Sequence, residues 1–308
     1  MNIYIAPKPE CGFETKWMCP RGEYIINHGL SLQNNITLVN NPDAADYIFW
    51  YYRPHNNSQK TRELIEQYDK SKLVVIDWTD EPDEVHTEKC LAYFKRSWVF
   101  PEHTNWGGVA KKSSRHRPSN WFPFAYSIID DFICEEQEKT IDIGCYLRDS
   151  CPNRSIVKGY ISDFCRFTPK TLRTTIGAIT NSSRSVGNTV YCDNVYNKTL
   201  AQTKILITCN PTFWEGDSRT WEGLANKCLV FVDRTFTPYA NKPIDGKHWI
   251  EYDVDDIEGL CIKLNYYLSH MEEANQIAQN GYDFAMKHHT PCARVKYILD
   301  TIQGDIYY

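Results

Sequence analysis

The stretch ILITCNPTFWEGDSRTWEGLANKCLVFVD, residues 205–233, contains the pattern that decides the fold. Two apolar runs typical of β-strands, at 205–208 and 228–232, flank a segment with helical character. That segment opens with the polar sequence EGDSR, residues 215–219, where the strand gives way to the helix. A strand, a polar loop, a helix and a second strand predict an α/β unit. The charged residues either cap the helix or bind an anionic, hydroxylated ligand.

Length and composition predict a globular protein of two domains. A chain of 308 residues exceeds the usual single core, and a hydrophobic fraction of 42% with 20 Tyr, 13 Phe and 9 Trp excludes wholesale disorder. The net charge of −5 argues against charge-driven binding of nucleic acid or anionic membranes. No apolar run approaches the roughly 18 residues of a membrane span. The start MNIYIAPKP lacks the features of a secretory signal, so we expect a cytoplasmic location.

The cysteines and histidines give no support to a disulfide framework or a metal site. The twelve cysteines are scattered and form no CxxC pair, so we expect most of them to be reduced. The adjacent His288 and His289 fit a polar helix C-terminus better than a zinc site.

Strand-like and helix-like segments alternate twice along the chain. The first series has apolar runs at 3–6, 36–39, 47–52 and 73–78, and a second series restarts at 140–147. Such alternation predicts parallel sheets with right-handed crossovers. Neither a GxGxxG nor a GxxxxGK[ST] motif is present, which excludes the simplest dinucleotide and P-loop sites. We predict an N-terminal α/β domain at 1–130, a C-terminal α/β domain at 131–285, and a helix within 286–308 that packs back on the first domain.

An acidic turn follows one predicted strand, in VVIDWTDEPDEV (74–85). Asp77, Asp80 and Glu81 come where the carboxyl end of the strand would face a ligand. The turn is either simply solvated or holds a carboxylate that acts as a general base on a hydroxyl.

A second polar turn follows the strand at 140–147, in GCYLRDSCPNRS (144–155). Arg148, Ser150 and Arg154 precede or open a predicted helix, and with its free amides they would suit a phosphate group. Alternatively Asp149 pairs with Arg154, and Asn153 caps the helix.

The opening stretch places a cation at an unfavourable position. Arg219 lies in the first turn of its helix, where the helix dipole disfavours positive charge, next to the capping candidates Asp217 and Ser218. Either the nearby carboxylates neutralise it, or Arg219 and the helix amides hold a pyrophosphate. In the second case Glu222, one turn further on, would accept hydrogen bonds from ribose hydroxyls.

Two basic residues stand in the aromatic segment YFKRSWVFPEHT (93–104). Lys95 and Arg96 either contact a substrate or are solvated residues of an edge strand, and the pattern favours the edge strand.

Together these segments resemble the GT-B glycosyltransferases of the protein O-glucosyltransferase/capsule-associated (CAP) and exostosin-like groups. Residues 204–289 are similar to the donor-domain segments of those enzymes, CYLRDSCPNRS (145–155) to an element after the first donor-domain strand, and IDWTDEP (76–82) to the element with the catalytic base. The resemblance implies two Rossmann-like domains that face each other across a cleft. It also implies an inverting transfer from a nucleotide sugar, with UDP favoured, to a glycan or glycoprotein hydroxyl, without metal or further cofactor.

Matched residue by residue, the resemblance implies Asp80 as the base, because it has the family's proline two residues later. It places Arg148, Ser150, Arg154, Ser218 and Arg219 around the diphosphate, with Glu222 near the ribose. Thr79 stands where the family usually has arginine, and the rest of the N-terminal third has no clear counterpart. A xylosyltransferase or glucosyltransferase of a microbe or large virus fits best. A retaining enzyme, another α/β enzyme such as a nucleotide-sugar epimerase, and a binding protein without turnover stay open.

Overall fold

The computed structural model describes residues 1–7, 20–51, 63, 65–78, 89–97, 119–168, 172–177, 194–211, 216–238 and 240–304. Within these residues the chain forms two sheets, one of six strands and one of five. Every pair of neighbouring strands runs parallel, as the alternation of strands and helices predicts.

The N-terminal sheet has the strand order β2-β1-β3-β4-β5-β6. Its strands are β1 (Asn2–Ile5), β2 (Thr37–Val39), β3 (Tyr47–Trp50), β4 (Leu73–Asp77), β5 (Ala92–Lys95) and β6 (Trp121–Pro123). Helix α1 spans Pro20–Ser31. All five residues of β4 are buried, which explains its continuous apolar sequence, since an interior parallel strand is covered on both faces.

The C-terminal sheet has the order β11-β10-β9-β7-β8. Its strands are β7 (Ile141–Cys145), β8 (Thr174–Ile176), β9 (Thr203–Ile207), β10 (Leu229–Asp233) and β11 (Ile250–Tyr252). Its helices are α2 (Pro152–Phe167), α3 (Asn194–Ala201), α4 (Ser218–Ala225), α5 (Ile257–Ser269) and α6 (Met271–His288). In each sheet the first strand in the chain lies between the second and the third, so the strand order reverses beside it. Such a reversal is where open α/β sheets bind ligands, outside the carboxyl ends of the strands.

The last helix, α7 (Pro291–Gln303), packs against α1 near the N-terminal sheet. Gly29 permits this approach, because a Cβ there would collide with the Pro291 carbonyl oxygen. On the same helix Tyr297 donates to the Pro123 carbonyl at 3.2 Å and meets the Phe94 ring edge-on at 5.6 Å. The last described helix therefore packs against elements of the N-terminal sheet region.

One apolar core connects the two sheets. It contains Phe94 and Phe124 from the N-terminal sheet region together with Leu206, Trp221 and Val230 from the C-terminal one. Because these side chains pack in one cluster, apolar burial stabilises the relative position of the sheets. Within the described residues, no helix is both long and apolar enough to cross a membrane.

The structure corrects one prediction about the N-terminal sheet. The interpretation of Lys95 and Arg96 as solvated residues of an edge strand is wrong. Strand β5 pairs with β4 on one side and β6 on the other, and both side chains are fully buried. Tyr93 and Phe94, which precede them in the strand, are fully buried as well.

Candidate functional site

The reversal of strand order in the C-terminal sheet brings two polar segments together. The loop after β7 leads into α2, and the loop after β9 leads into α4. Since β7 and β9 are neighbours, the N-termini of both helices lie at the carboxyl edge of the sheet, where free amides suit an anion. The predicted donor-binding residues lie on these two segments.

Arg154, on the first turn of α2, joins the two helices. Its Nη2 lies 2.5 Å from Asp217 Oδ2, and both side chains of this ion pair are buried. Its Nε donates to the Cys209 carbonyl at 2.8 Å, and its Nη1 donates to Ser150 Oγ at 3.2 Å. These bonds fix the guanidinium in one orientation at the end of the sheet.

The alternative interpretation of this turn is wrong. Asp149 pairs with Lys158 and accepts from Ser155 Oγ at 3.1 Å, so it is not the partner of Arg154. Cys151 occupies the N-cap position of α2 without a side-chain hydrogen bond, so Asn153 does not cap the helix. Within the described residues, neither polar atom of the fully buried Asn153 amide has a hydrogen-bond partner.

Asp217 is the carboxylate that the two buried arginines of the site share. It caps α4 as predicted, accepting from the Arg219 amide at 2.8 Å. The same carboxylate accepts from Arg219 Nη1 at 3.0 Å and from Arg154. One buried carboxylate therefore serves two arginines that come from different helices.

Arg219 is held by internal ion pairing, one of its two predicted states. Burial alone would lower the pKa of its guanidinium, but Asp217 with Tyr196 and Glu222 raises that pKa, so the cation is stabilised. In the described part of the chain, its Nε is buried and has no hydrogen-bond acceptor. Arg219 thus retains an unused donor beside two helix N-termini.

Glu222 lies one turn inside α4 and is only 3% exposed. Its Oε2 accepts from Tyr196 at 2.6 Å, and its Oε1 accepts from Ser218 Oγ at 3.3 Å. Both oxygens of this buried carboxylate therefore accept from hydroxyl groups of the protein, which is the chemistry that a ribose hydroxyl would also offer.

Arg148 and Ser150 lie in the loop between β7 and α2. Arg148 is partly exposed, and Ser150 is exposed and contacts Arg154. The structure thus brings together Ser150, Arg154, Ser218, Arg219 and Glu222, with Arg148 on the same loop.

Sequence reasoning missed a buried amide and carboxylate in this site. Asn210 follows β9, and its backbone and side-chain nitrogens donate to Asp233 Oδ1 at 2.7 and 2.9 Å. Its Oδ1 accepts from the Asp217 amide at 3.1 Å. The available signal was a polar residue close to the carboxyl end of each of two apolar strands: Asn210 comes three residues after β9, and Asp233 is the last residue of β10.

On the N-terminal sheet, Asp77 and Lys95 form a buried ion pair. Lys95 Nζ lies 3.1 Å from Asp77 Oδ2, and the Tyr93 hydroxyl donates to the same oxygen at 2.6 Å. Both charged side chains are closed to solvent. Asp80 and Glu81, the other candidates in this acidic segment of the sequence, lie outside the described residues.

Arg96 connects the carboxyl ends of the two sheets. Its Nε and Nη2 donate to the Trp78 carbonyl at 3.3 and 3.1 Å, just after β4. Its Nη1 donates to the Gly216 carbonyl at 3.3 Å, just before α4. The N-terminal sheet therefore contacts the loop that bears Asp217.

Among the residues that the structure describes, no group of three or more His, Cys, Asp or Glu side chains is arranged to hold a metal ion.

The architecture is similar to those of solved glycosyltransferases along almost the whole chain. A glycosyltransferase from Rickettsia africae ESF-5 shares 9% identity at a TM-score of 0.54, over 97% of this chain and 83% of that one. HepE from Anabaena, in complex with UDP and glucose, shares 9% identity at a TM-score of 0.54, over 98% and 99%. The fold is GT-B. This confirms the fold class predicted from the sequence.

Part of the amino-acid sequence also matches a glycosyltransferase family model. Residues 176–300 match a family model described as glycosyl transferase-like. That range includes β9, α4 and β10, and so the stretch that contains Asp217, Arg219 and Glu222. The predicted enzyme class, glycosyltransferase, is confirmed. Comparison with curated protein sequences gives no significant match.

Proposed function

We propose that this enzyme transfers a sugar from a UDP-sugar to a hydroxyl of a glycan or glycoprotein, with inversion and without a metal ion or further cofactor. The observation that carries the proposal is the pair of arginines, Arg154 and Arg219, which share Asp217 between two helix N-termini. This arrangement lies where the strand order of the C-terminal sheet reverses.

The chemistry of the leaving group fits these residues. Negative charge builds up on the diphosphate as the bond to the anomeric carbon breaks. Guanidinium groups and helix amides that are already oriented stabilise such charge without reorganising during the reaction. Asp217 supplies the orientation, because it holds both guanidinium groups in place before the donor binds.

The other donor contacts follow from the same geometry. Arg148, Ser150 and Ser218 would complete the diphosphate site, and Glu222 would accept from ribose hydroxyls. UDP is favoured because solved structures of HepE, which has this fold, contain UDP or UDP-glucose. Xylose and glucose are favoured by the resemblance to the CAP and exostosin-like groups.

The acceptor would bind on the side of the N-terminal sheet, with Asp80 as the base. Asp80 takes the proton of the acceptor hydroxyl while that oxygen bonds to the anomeric carbon and the diphosphate leaves with the electron pair of the broken bond. Asp77 is the weaker candidate for this role, because it is buried and paired with Lys95. Asp80 comes three residues after the end of β4 in the sequence, and catalytic residues often follow a rigid element of the scaffold.

A transfer assay tests the proposal. The enzyme is incubated with UDP-xylose or UDP-glucose and a panel of saccharide acceptors, with and without EDTA, while UDP release and product are followed by NMR. We expect a β-linked product from the α-linked donor and no loss of rate with EDTA. Retention of configuration would overturn the inverting mechanism, loss of rate with EDTA would overturn metal independence, and no turnover with any donor would overturn the proposal.

A further inference from the structure

Arg96 occupies a position that a packing role alone does not explain. It is a fully buried cation directly after β5. Its guanidinium donates to two carbonyl groups, that of Trp78 just after β4 and that of Gly216 just before α4. The Tyr126 ring lies 4.9 Å from the guanidinium carbon, so a cation–π contact supports the same orientation. A lysine would keep the charge but not the planar fork that reaches both carbonyls.

The Gly216 carbonyl belongs to the peptide bond that joins Gly216 to Asp217, the carboxylate shared by the two arginines of the candidate site. Gly216 has φ of +89°, a conformation that side chains rarely adopt. The next residue is Asp217, whose carboxylate orients Arg154 and Arg219. A bond to the Gly216 carbonyl therefore fixes the peptide from which the cap of α4 begins.

We propose that Arg96 is a positioning residue that aligns the donor arginines with the acceptor side of the enzyme. It acts through the Gly216 carbonyl and contacts neither substrate. This inference rests on the proposed function, because it concerns the same donor site. Asp217 has other bonds that keep its place, to Arg154 and Asn210, so donor affinity depends less on Arg96 than the alignment does.

The consequence is a specific kinetic signature. A misplacement of reacting groups by about 1 Å can slow a reaction about 100-fold. We expect Arg96→Lys to lower kcat for UDP release from UDP-glucose by about 10- to 100-fold, while the Kd for UDP changes less than about threefold. Gly216→Ala should act in the same direction, because alanine disfavours the positive φ.

A matched control separates this role from ordinary interface packing. Arg294 is also buried and also donates through Nε and Nη2 to one carbonyl, that of Tyr126, at 3.1 and 2.9 Å. Arg294→Lys should lower the thermal midpoint as Arg96→Lys does, but leave kcat within about twofold. A double-mutant cycle adds a second test, because Arg96→Lys and Gly216→Ala should be non-additive in kcat, whereas Arg294→Lys and Gly216→Ala should be additive.

The outcomes are distinguishable. If Arg96→Lys resembles Arg294→Lys, with lower stability and unchanged kcat, or if the first cycle is additive, the positioning role is overturned while the proposed function stands. If the wild-type enzyme neither binds UDP in calorimetry nor releases it from UDP-glucose, the proposed function and the inference fail together. A fall in kcat with retained UDP affinity and a non-additive cycle supports the inference.

Discussion

Asp217 at the start of α4 and Arg154 at the start of α2 form a buried ion pair, with 2.5 Å between Oδ2 and Nη2. The two residues are 63 positions apart in the chain, and their pairing joins the starts of two helices. Both side chains are less than 10% exposed, so each depends on the other for compensation of its charge.

Removing the charge of Asp217 should therefore destabilise the enzyme. Asp217→Asn leaves Arg154 and Arg219 without their shared carboxylate, and breaking a buried pair costs about 3–5 kcal/mol. We expect a decrease of about that size in the free energy of unfolding, measured by urea denaturation. Asp163→Asn, which breaks the exposed pair with Arg166, is the control and should change the urea midpoint very little. Equal losses of stability in the two variants would contradict the role of Asp217 as the shared partner of Arg154 and Arg219.

Arg219 should contribute directly to donor affinity. We expect Arg219→Ala to weaken UDP binding about 10- to 100-fold, the value of one or two hydrogen bonds to a charged group. Calorimetric titration with UDP measures the change. Arg166→Ala, at the exposed end of α2, should leave the affinity unchanged. Unchanged affinity in Arg219→Ala would remove this residue from the diphosphate site.

Asp80 and Asp77 should respond differently to the same substitution. Asp80→Asn should abolish transfer and leave UDP affinity nearly unchanged, because the base does not contact the diphosphate. Asp77→Asn should lower the thermal midpoint instead, because Lys95 would be left buried without its carboxylate. Residual transfer near the wild-type rate in Asp80→Asn would contradict its assignment as the base and would favour a retaining enzyme.

The stability of the enzyme should depend on pH through His289. Burial and then the charge of Arg294 hold the pKa of His289 well below its ordinary 6.5. The folded state therefore stays neutral where the unfolded chain takes up a proton. Below about pH 6 this difference lowers the free energy of unfolding by about 1.4 kcal/mol per pH unit as the pH falls.

His289→Gln isolates that contribution. The neutral ring is tilted against Trp221, with 4.4 Å between the ring centroids, and its Nε2 bonds to the Asn241 carbonyl at 2.8 Å. The variant should therefore be less stable than wild type at pH 7.5. Because glutamine does not titrate, the difference should shrink between pH 7.5 and 5. A constant difference across that range, measured by chemical denaturation, would show that His289 is protonated in the folded enzyme as well.

The long apolar runs were sufficient to predict the centre of each sheet. Strands β3, β4, β9 and β10 are almost entirely buried, so their sequences are continuously apolar and easily recognised. Strands β6 and β8, of three residues each, were not predicted from the sequence. Helices α1 and α3 also lacked a distinctive pattern and were not predicted.

The position of β5 shows where sequence reasoning reaches its limit. Lys95 looks solvated in the sequence because its partner, Asp77, is on another strand. Only the sheet order reveals that the two charges meet and that both can therefore be buried. The same applies to Asp217, which sequence predicted as a helix cap but not as the shared partner of Arg154 and Arg219.

A crystal structure of the enzyme with UDP tests the central claim most directly. We predict that the diphosphate lies at the N-termini of α2 and α4, with phosphate oxygens about 2.9 Å from guanidinium nitrogens of Arg219 or Arg154. The ribose should then lie beside Glu222. UDP bound elsewhere, or absent at concentrations that saturate the enzyme in solution, would contradict the assignment of the donor site.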